Sequence, residues 1–201
     1  MTALPLPPEA SASRPLLTVA EYAALPEYTD GLRIELVEGN LVMSPRPITV
    51  HQYCIHELLY QLRDQVPGAL LAVAEVDVDL GLVPPAQPGF VRIPDLVVIP
   101  RESMDRQRRQ GGLLHASEVT LAVEVISPGS RRLDTIVKRD EYADAGIPHY
   151  WVVDLGEPDD RPQLTAHHLA GEFGYAEAGP VGGTFTATEP FPVRIDLDAL
   201  V

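Results

Sequence analysis

The spacing of apolar residues changes several times along the chain, and each change predicts an element. Thr18-Val19-Ala20-Glu21 has the form of a capping box, so a short helix opens there and stops before Pro26. Ile34-Glu35-Leu36-Val37 and Leu41-Val42-Met43 read as two short strands, joined through Glu38-Gly39-Asn40 as a hairpin. From about Thr49 to Val66, Ile55, Leu58, Leu59, Leu62 and Val66 recur at helical spacing, and Gly68 follows as a stop. Over Leu70 to Leu82, Val76, Val78 and Leu80 alternate with Asp77 and Asp79, the pattern of a half-buried strand. A Pro- and Gly-rich loop from Pro84 to Gly89 leads to Val91–Ile99, which Pro94 interrupts. Arg101 to Arg109 is polar and fits either a short helix or a loop.

The second half of the chain repeats this grammar more sharply. Val119 to Ile126 is a nearly unbroken apolar, β-branched run, as expected of a central strand buried on both faces, and Glu124 is its one charge. Ser130 is placed to cap a helix running to about Ala145, with Gly146 and Pro148 ending it. Tyr150-Trp151-Val152-Val153-Asp154 is another buried strand. Residues 119–154 therefore predict a strand–helix–strand unit with a right-handed crossover. Leu164–Leu169, Gly183–Thr188 and Val193–Leu197 predict edge strands of a C-terminal β-meander. Residues 1–16, with four prolines among Ala and Ser, read as a flexible tail, leaving 17–201 as one domain. The fold class is α+β, with a mixed central β-sheet flanked by helices.

Composition narrows the function. A chain of 201 residues can bury a sizeable core unaided, and its one cysteine, Cys54, excludes an internal disulfide or a multi-cysteine zinc site. Cys54 shares the apolar helix face with Ile55 and Leu58 and is expected in the core. No apolar run is long enough to span a membrane and no secretory leader is legible at the start, so a cytoplasmic location and no membrane partner are expected. The net charge of −14 counts against an extended nucleic-acid groove. It is unevenly spread, however. Residues 101–151 hold eight basic and eight acidic side chains, whereas both flanking regions are strongly acidic. Of 15 basic residues 14 are arginine; the exception is Lys138.

Two carboxylates stand out by their neighbours. Asp95 sits at the mouth of the apolar run Leu96–Ile99, and Glu124 interrupts a strand that is otherwise apolar. A buried carboxylate costs several kcal/mol unless it is paired or bound to a cation, so each acid either meets an arginine or helps to hold a metal. The helix after the Glu124 strand carries Asp134, Lys138 and Tyr142 at i, i+4 and i+8. Two acids and a lysine converging there would suit phosphodiester cleavage: hard oxygen ligands for Mg²⁺ or Mn²⁺, and an ammonium near water and phosphate. Without a cation the two acids should repel, so removing either would be expected to spare stability. Arg131 and Arg132, in the first turn of that helix, could bind phosphate or could be a solvated surface pair. His51, at a helix start, reads as a surface histidine on position alone, Glu35 as a solvent-facing hairpin charge, and Tyr142 as a packing residue.

Arg33-Ile34-Glu35-Leu36-Val37-Glu38-Gly39, Pro94-Asp95-Leu96, Val123-Glu124-Val125-Ile126-Ser127-Pro128 and Lys138…Tyr142-Ala143-Asp144-Ala145-Gly146-Ile147-Pro148…Tyr150-Trp151 occur in that order. Over about residues 17–200 the chain resembles the Uma-two family, within the PD-(D/E)XK restriction-endonuclease-like superfamily. The resemblance implies a restriction-endonuclease-like core with the β-meander as an addition. It implies that Asp95 and Glu124, with the Val125 main-chain carbonyl, hold Mg²⁺ (Mn²⁺ as substitute). The lysine usual two residues after the glutamate is replaced by Ile126, so the resemblance assigns its role to Lys138, migrated onto the next helix. Glu35 matches an early glutamate that contacts metal or its water, and His51 a histidine placed to meet phosphate.

The expected function is Mg²⁺-dependent endonucleolytic cleavage of DNA by a homodimer, since two-strand cutting calls for two sites. Two other classes fit the acidity: an inactive dimeric interaction module on the same fold, and a metal hydrolase of small phosphoesters.

Overall fold

A computed structural model of the chain describes residues 15–26, 33–44, 48–126, 133–157 and 160–201. Helix α1 (Val19–Ala23) is opened by the capping box: Thr18 accepts from the Glu21 N–H, and the Glu21 carboxylate accepts from the Thr18 N–H at 2.8 Å. Strands β1 (Arg33–Val37) and β2 (Asn40–Ser44) pair antiparallel. Glu38 and Gly39 between them both have positive φ, 49° and 75°, the turn whose twist matches a hairpin. Gly39 is also required by space, because a Cβ there would come within 2.7 Å of Pro88.

Helix α2 (Thr49–Arg63) follows, then β3 (Leu70–Ala74), β4 (Val78–Asp79), β5 (Val91–Arg92) and β6 (Leu96–Pro100). The alternating stretch 70–82 is thus two strands rather than one. Glu75, at φ 53°, breaks it, and the two pieces join different sheets. Alternation reports a buried face but not which sheet supplies it. Arg101–Gln110 is helix α3, leading to β7 (Leu114–His115) and β8 (Leu121–Ile126).

Beyond β8 the helix expected from Ser130 to Ala145 is described from residue 133 on, and Ser130 lies outside the described residues. It is composite: a π-helical turn, Leu133–Lys138, passes into α4 (Arg139–Asp144). Strand β9 (His149–Asp154) then returns parallel to β8, completing the strand–helix–strand unit. Strands β10 (Gln163–Leu169), β11 (Tyr175–Glu177) and β12 (Val181–Gly182) extend the same sheet, and β13 (Thr184–Ala187) with β14 (Val193–Asp196) form a hairpin.

The main sheet runs β11-β10-β9-β8-β6-β3 with β12 on β10, and the smaller one β2-β1-β5-β4-β7. In the main sheet β8 and β9 are parallel and the other pairs antiparallel, which is the mixed α+β sheet expected. Its two faces are covered differently. Leu121, Val123 and Val125 of β8 face α2 and the C-terminal hairpin, with Trp151, Leu58, Phe185 and Ile195. Ala122 and Ile126 face the other way, towards Tyr142, Ile147 and Tyr150. Cys54 is fully buried in the first of these layers, and burial pushes its thiol up to about 12. Among the described residues no helix is long and apolar enough to cross a membrane.

Candidate active site

Strand alternation sets the site. Pairing of Leu96 with Val123 brings Asp95, one residue before β6, alongside Glu124 near the end of β8. The Val125 N–H donates to Asp95 Oδ2 at 2.7 Å, which locks that carboxylate onto the strand end. Glu35, in the middle of β1, comes from the smaller sheet. Each of the three acids is 2% exposed.

Three buried carboxylates at one corner require compensation, and each receives its own cation. Lys138, 4% exposed, donates to Glu124 Oε1 at 2.8 Å and lies 3.6 Å from Glu35 Oε1. The π-helical turn ends at Lys138, and wide turns of this kind recur where a helix must present one side chain at a functional position. Tyr142, one turn on, donates its hydroxyl to the same Glu124 oxygen at 2.7 Å. Tyr142 therefore packs against the sheet, as expected, and also orients Glu124. Its phenol is pushed well above the ordinary range, first by burial and then by the charges of Glu124 and Glu35.

Glu35 is not the solvent-facing hairpin charge that its position alone suggests. Its Oε1 accepts from the Ile93 N–H at 3.0 Å and its Oε2 from Arg92 at 2.9 Å. Arg92 also makes a two-pronged bond to Glu141 of α4, at 2.6 and 2.7 Å, tying the smaller sheet to the helix that carries Lys138. Burial works to raise the Glu35 carboxyl, but Lys138, Arg92, the Ile93 N–H and Arg33 together hold it below the usual carboxylate value.

Asp95 faces two cationic groups. Arg33 Nη1 donates to its Oδ1 at 2.5 Å, and His51 Nε2 lies 3.3 Å from its Oδ2 and 3.1 Å from the Val125 carbonyl oxygen. Burial alone would raise the Asp95 carboxyl; the bond to His51 and the charges of Arg33, His51 and Lys138 outweigh it and hold it far below the ordinary range. For His51 burial again works downward, and the bond and charge of Asp95 more than reverse it, raising the imidazole. His51 is a buried residue, not a surface one. The helix start carries it under the sheet's end instead of into solvent.

The expectation that Asp95 and Glu124 repel one another without a metal is overturned. Asp95 is paired with Arg33, and Glu124 with Lys138. Deleting either acid takes a counter-charge from Arg33 or Lys138, so a loss of stability is expected rather than relief of repulsion.

Sequence reasoning assigned no role to Arg33, Arg92 or Glu141. Arg33 stands inside the quoted motif, and Arg92 is a lone charge within an apolar run, so a signal existed for both. Glu141 carried none. Arg131 and Arg132 lie outside the described residues, as does the side chain of Asp134.

Asp95, Glu124 and the Val125 carbonyl form an all-oxygen donor set, the type that hard divalent cations require. The carbonyl has a second lone pair beyond the one facing His51. By donor chemistry these residues fit Mg²⁺ or Mn²⁺. Among the described residues no three His, Cys, Asp or Glu side chains gather as a metal cluster.

Comparison with known proteins follows the same line. Among solved structures, the crystal structure of a "putative nuclease belonging to DUF820" from Anabaena variabilis is similar. It is 18% identical, covers 92% of this chain and 97% of that chain, and has a TM-score of 0.67. That likeness is one of fold: the α+β, restriction-endonuclease-like architecture. No curated protein matches. Residues 19–199, nearly all of the described chain, match the family Uma2, described as "Putative restriction endonuclease", and the chain belongs to that family.

Proposed function

We propose that this protein is a divalent-cation-dependent endonuclease that hydrolyses phosphodiester bonds in DNA, using Mg²⁺ or Mn²⁺. The observation that carries the reading is the corner where Asp95 and Glu124 meet side by side, with Lys138 on the Glu124 carboxylate. A buried ion pair is often no more stabilising than its hydrophobic replacement, so a cluster of paired acids and cations in a strand-end corner points to a functional site. The family description and the nuclease of similar fold support the same reading.

In this reading Asp95, Glu124 and the Val125 carbonyl hold the cation, which when bound supplies Lewis acidity to water and phosphate. Lys138 orients the attacking water and offsets charge developing on the phosphate, which its position on Glu124 permits. Tyr142 holds the Glu124 carboxylate in one orientation, and His51 does the same for Asp95 and the Val125 carbonyl. Glu35 keeps Lys138 and Arg92 in place. DNA is the partner, delivered to a chain of net charge −14 through a local patch rather than a basic groove, and a homodimer provides two sites for two strands.

The test is cleavage of supercoiled plasmid. The parent should nick or linearise it with Mn²⁺ or Mg²⁺, and EDTA or Glu124→Gln should stop it. Failure to cut plasmid, linear duplex or single strands in either ion would overturn the reading. Turnover of a nitrophenyl phosphodiester without nucleic-acid cleavage would replace it with a small-phosphoester hydrolase.

A further inference from the structure

The cations at this corner are not held alike. Arg92 is 1% exposed and makes three side-chain hydrogen bonds to two acids. Lys138 is 4% exposed and lies between Glu124 and Glu35. Arg33 enters from the end of β1, and its side chain is 15% exposed. It donates through Nη1 to Asp95 alone, while Nη2 is buried without a hydrogen-bond partner among the described residues, 4.0 Å from Glu124 Oε2.

The carboxylate oxygens divide in the same way. Asp95 Oδ2 is taken by the Val125 N–H and His51, and Glu124 Oε1 by Lys138 and Tyr142. The opposite oxygens, Asp95 Oδ1 and Glu124 Oε2, both face the Arg33 guanidinium. Arg33 therefore spans the two acids as a divalent cation would, with weaker bonds.

Arg33, Arg92 and Lys138 already set three cations against the acids of this corner. A doubly charged ion entering between Asp95 and Glu124 meets the Arg33 guanidinium there, and like charges that close oppose one another strongly in a low-dielectric site.

Resting on the metal-dependent reading above, we infer that Arg33 is a tethered counter-ion that competes with the divalent cation for the space between Asp95 and Glu124. It satisfies the acids when no metal is bound and swings outward when metal enters. The most exposed and least bonded of the three cations is the one displaced. Released at the mouth of the site, its guanidinium is free to pair with a phosphate in the forked geometry arginine favours. Metal entry and phosphate capture are thereby coupled through one side chain.

The test is calorimetric titration of Mn²⁺ into the full chain, stripped with EDTA and dialysed, for the parent, Arg33→Gln and Arg33→Lys. Glutamine keeps a hydrogen-bond donor for Asp95 but removes the charge, so Mn²⁺ should bind about tenfold tighter, within the usual span of coupling between sites. Lysine keeps the charge and should stay close to the parent. A structural residue would leave affinity unchanged or weaken it on substitution. Parent-like or weaker Mn²⁺ binding by a folded Arg33→Gln therefore overturns the inference while leaving the metal reading intact. Absence of binding in both parent and Arg33→Gln removes the metal reading as well. Should Arg33→Gln be unfolded in EDTA, circular dichroism during Mn²⁺ addition decides. Refolding supports displacement, and an unfolded chain at saturating Mn²⁺ overturns it.

Discussion

The layer between α2, the β13–β14 hairpin and the main sheet is as closed to solvent as the corner where β1, β5, β6 and β8 meet, yet the two are built from opposite materials. In the layer, Trp151 packs edge-on against Phe185, and Leu58, Phe191, Ile195 and Leu200 surround them. At its rim, Gln61 and Gln65 bond the backbone of Asp196 and Arg194 in both directions, at 2.8–3.1 Å. The corner instead buries Glu35, Asp95, Glu124, Arg92, Lys138 and His51. Apolar burial is worth ~1.5–3 kcal/mol per large side chain, whereas buried ion pairs gain little over apolar isosteres. The first region holds by apolar burial, the second by buried charges that pair with one another. What the contrast teaches is that one sheet borders both an apolar layer and a cluster of charges whose partners must all be present.

The largest effects should come from deletions in each region, and their pH dependence should separate the two. Trp151→Ala leaves a cavity and should lose about 3–5 kcal/mol in urea denaturation, equally at pH 4 and 7.5. Arg92→Met takes the guanidinium from both Glu35 and Glu141 and should lose a similar ~3–5 kcal/mol at neutral pH. That loss should shrink in acid, where the orphaned carboxyls take up protons. An Arg92→Met penalty that does not change with pH would erase the distinction between the two regions.

Next in size is Lys138. Lys138→Ala should slow Mn²⁺-dependent plasmid cleavage on the order of 100-fold or more. Lys138→Arg should rescue poorly, because a guanidinium cannot take the ammonium's place beside Glu124. Parent-like cleavage by Lys138→Ala would make Lys138 a counter-ion alone.

The acids and His51 give a smaller, continuous effect. Asp95 and Glu35 are held below their ordinary values of 3.8 and 4.5, so they stabilise the fold at neutral pH. That contribution is complete above the unfolded values and lost as pH falls through the folded ones. His51 has the opposite sign. Raised above 6.5, it contributes fully below that value and loses its share as pH rises through the folded one. Thermal melts in EDTA should thus decline on both sides of mildly acidic pH, and Asp95→Asn should flatten both limbs. The smallest effect should be Gln65→Ala, about 1 kcal/mol for neutral hydrogen bonds at a partly wet surface.

Much of this could be read from the residues in order. Short apolar runs located β1, β2, β8 and β9, helical spacing located α2, and Pro94 separated β5 from β6, because each signal depends on neighbours a few residues away. Asp95, Glu124 and Lys138 stood out because a charge in an apolar setting, or one lysine among arginines, is visible without a fold. Strand membership was harder. The stretch 70–82 alternates without revealing that Glu75 sends its halves to different sheets.

By itself, then, the sequence determined the α+β class and the strand–helix–strand unit of β8 and β9, since both follow from local pattern. It marked Asp95 and Glu124 as charges in apolar settings but not the burial of Glu35. Only the tertiary structure decided the partners. Glu35 and Arg92 are 57 residues apart, Asp95 and Arg33 62, and Glu141 and Arg92 49. No spacing rule reaches that far. Which cation meets which carboxylate is settled where the smaller sheet, the main sheet and the π-helical turn converge, because a buried charge must find whatever opposite charge the packing brings within about 3 Å.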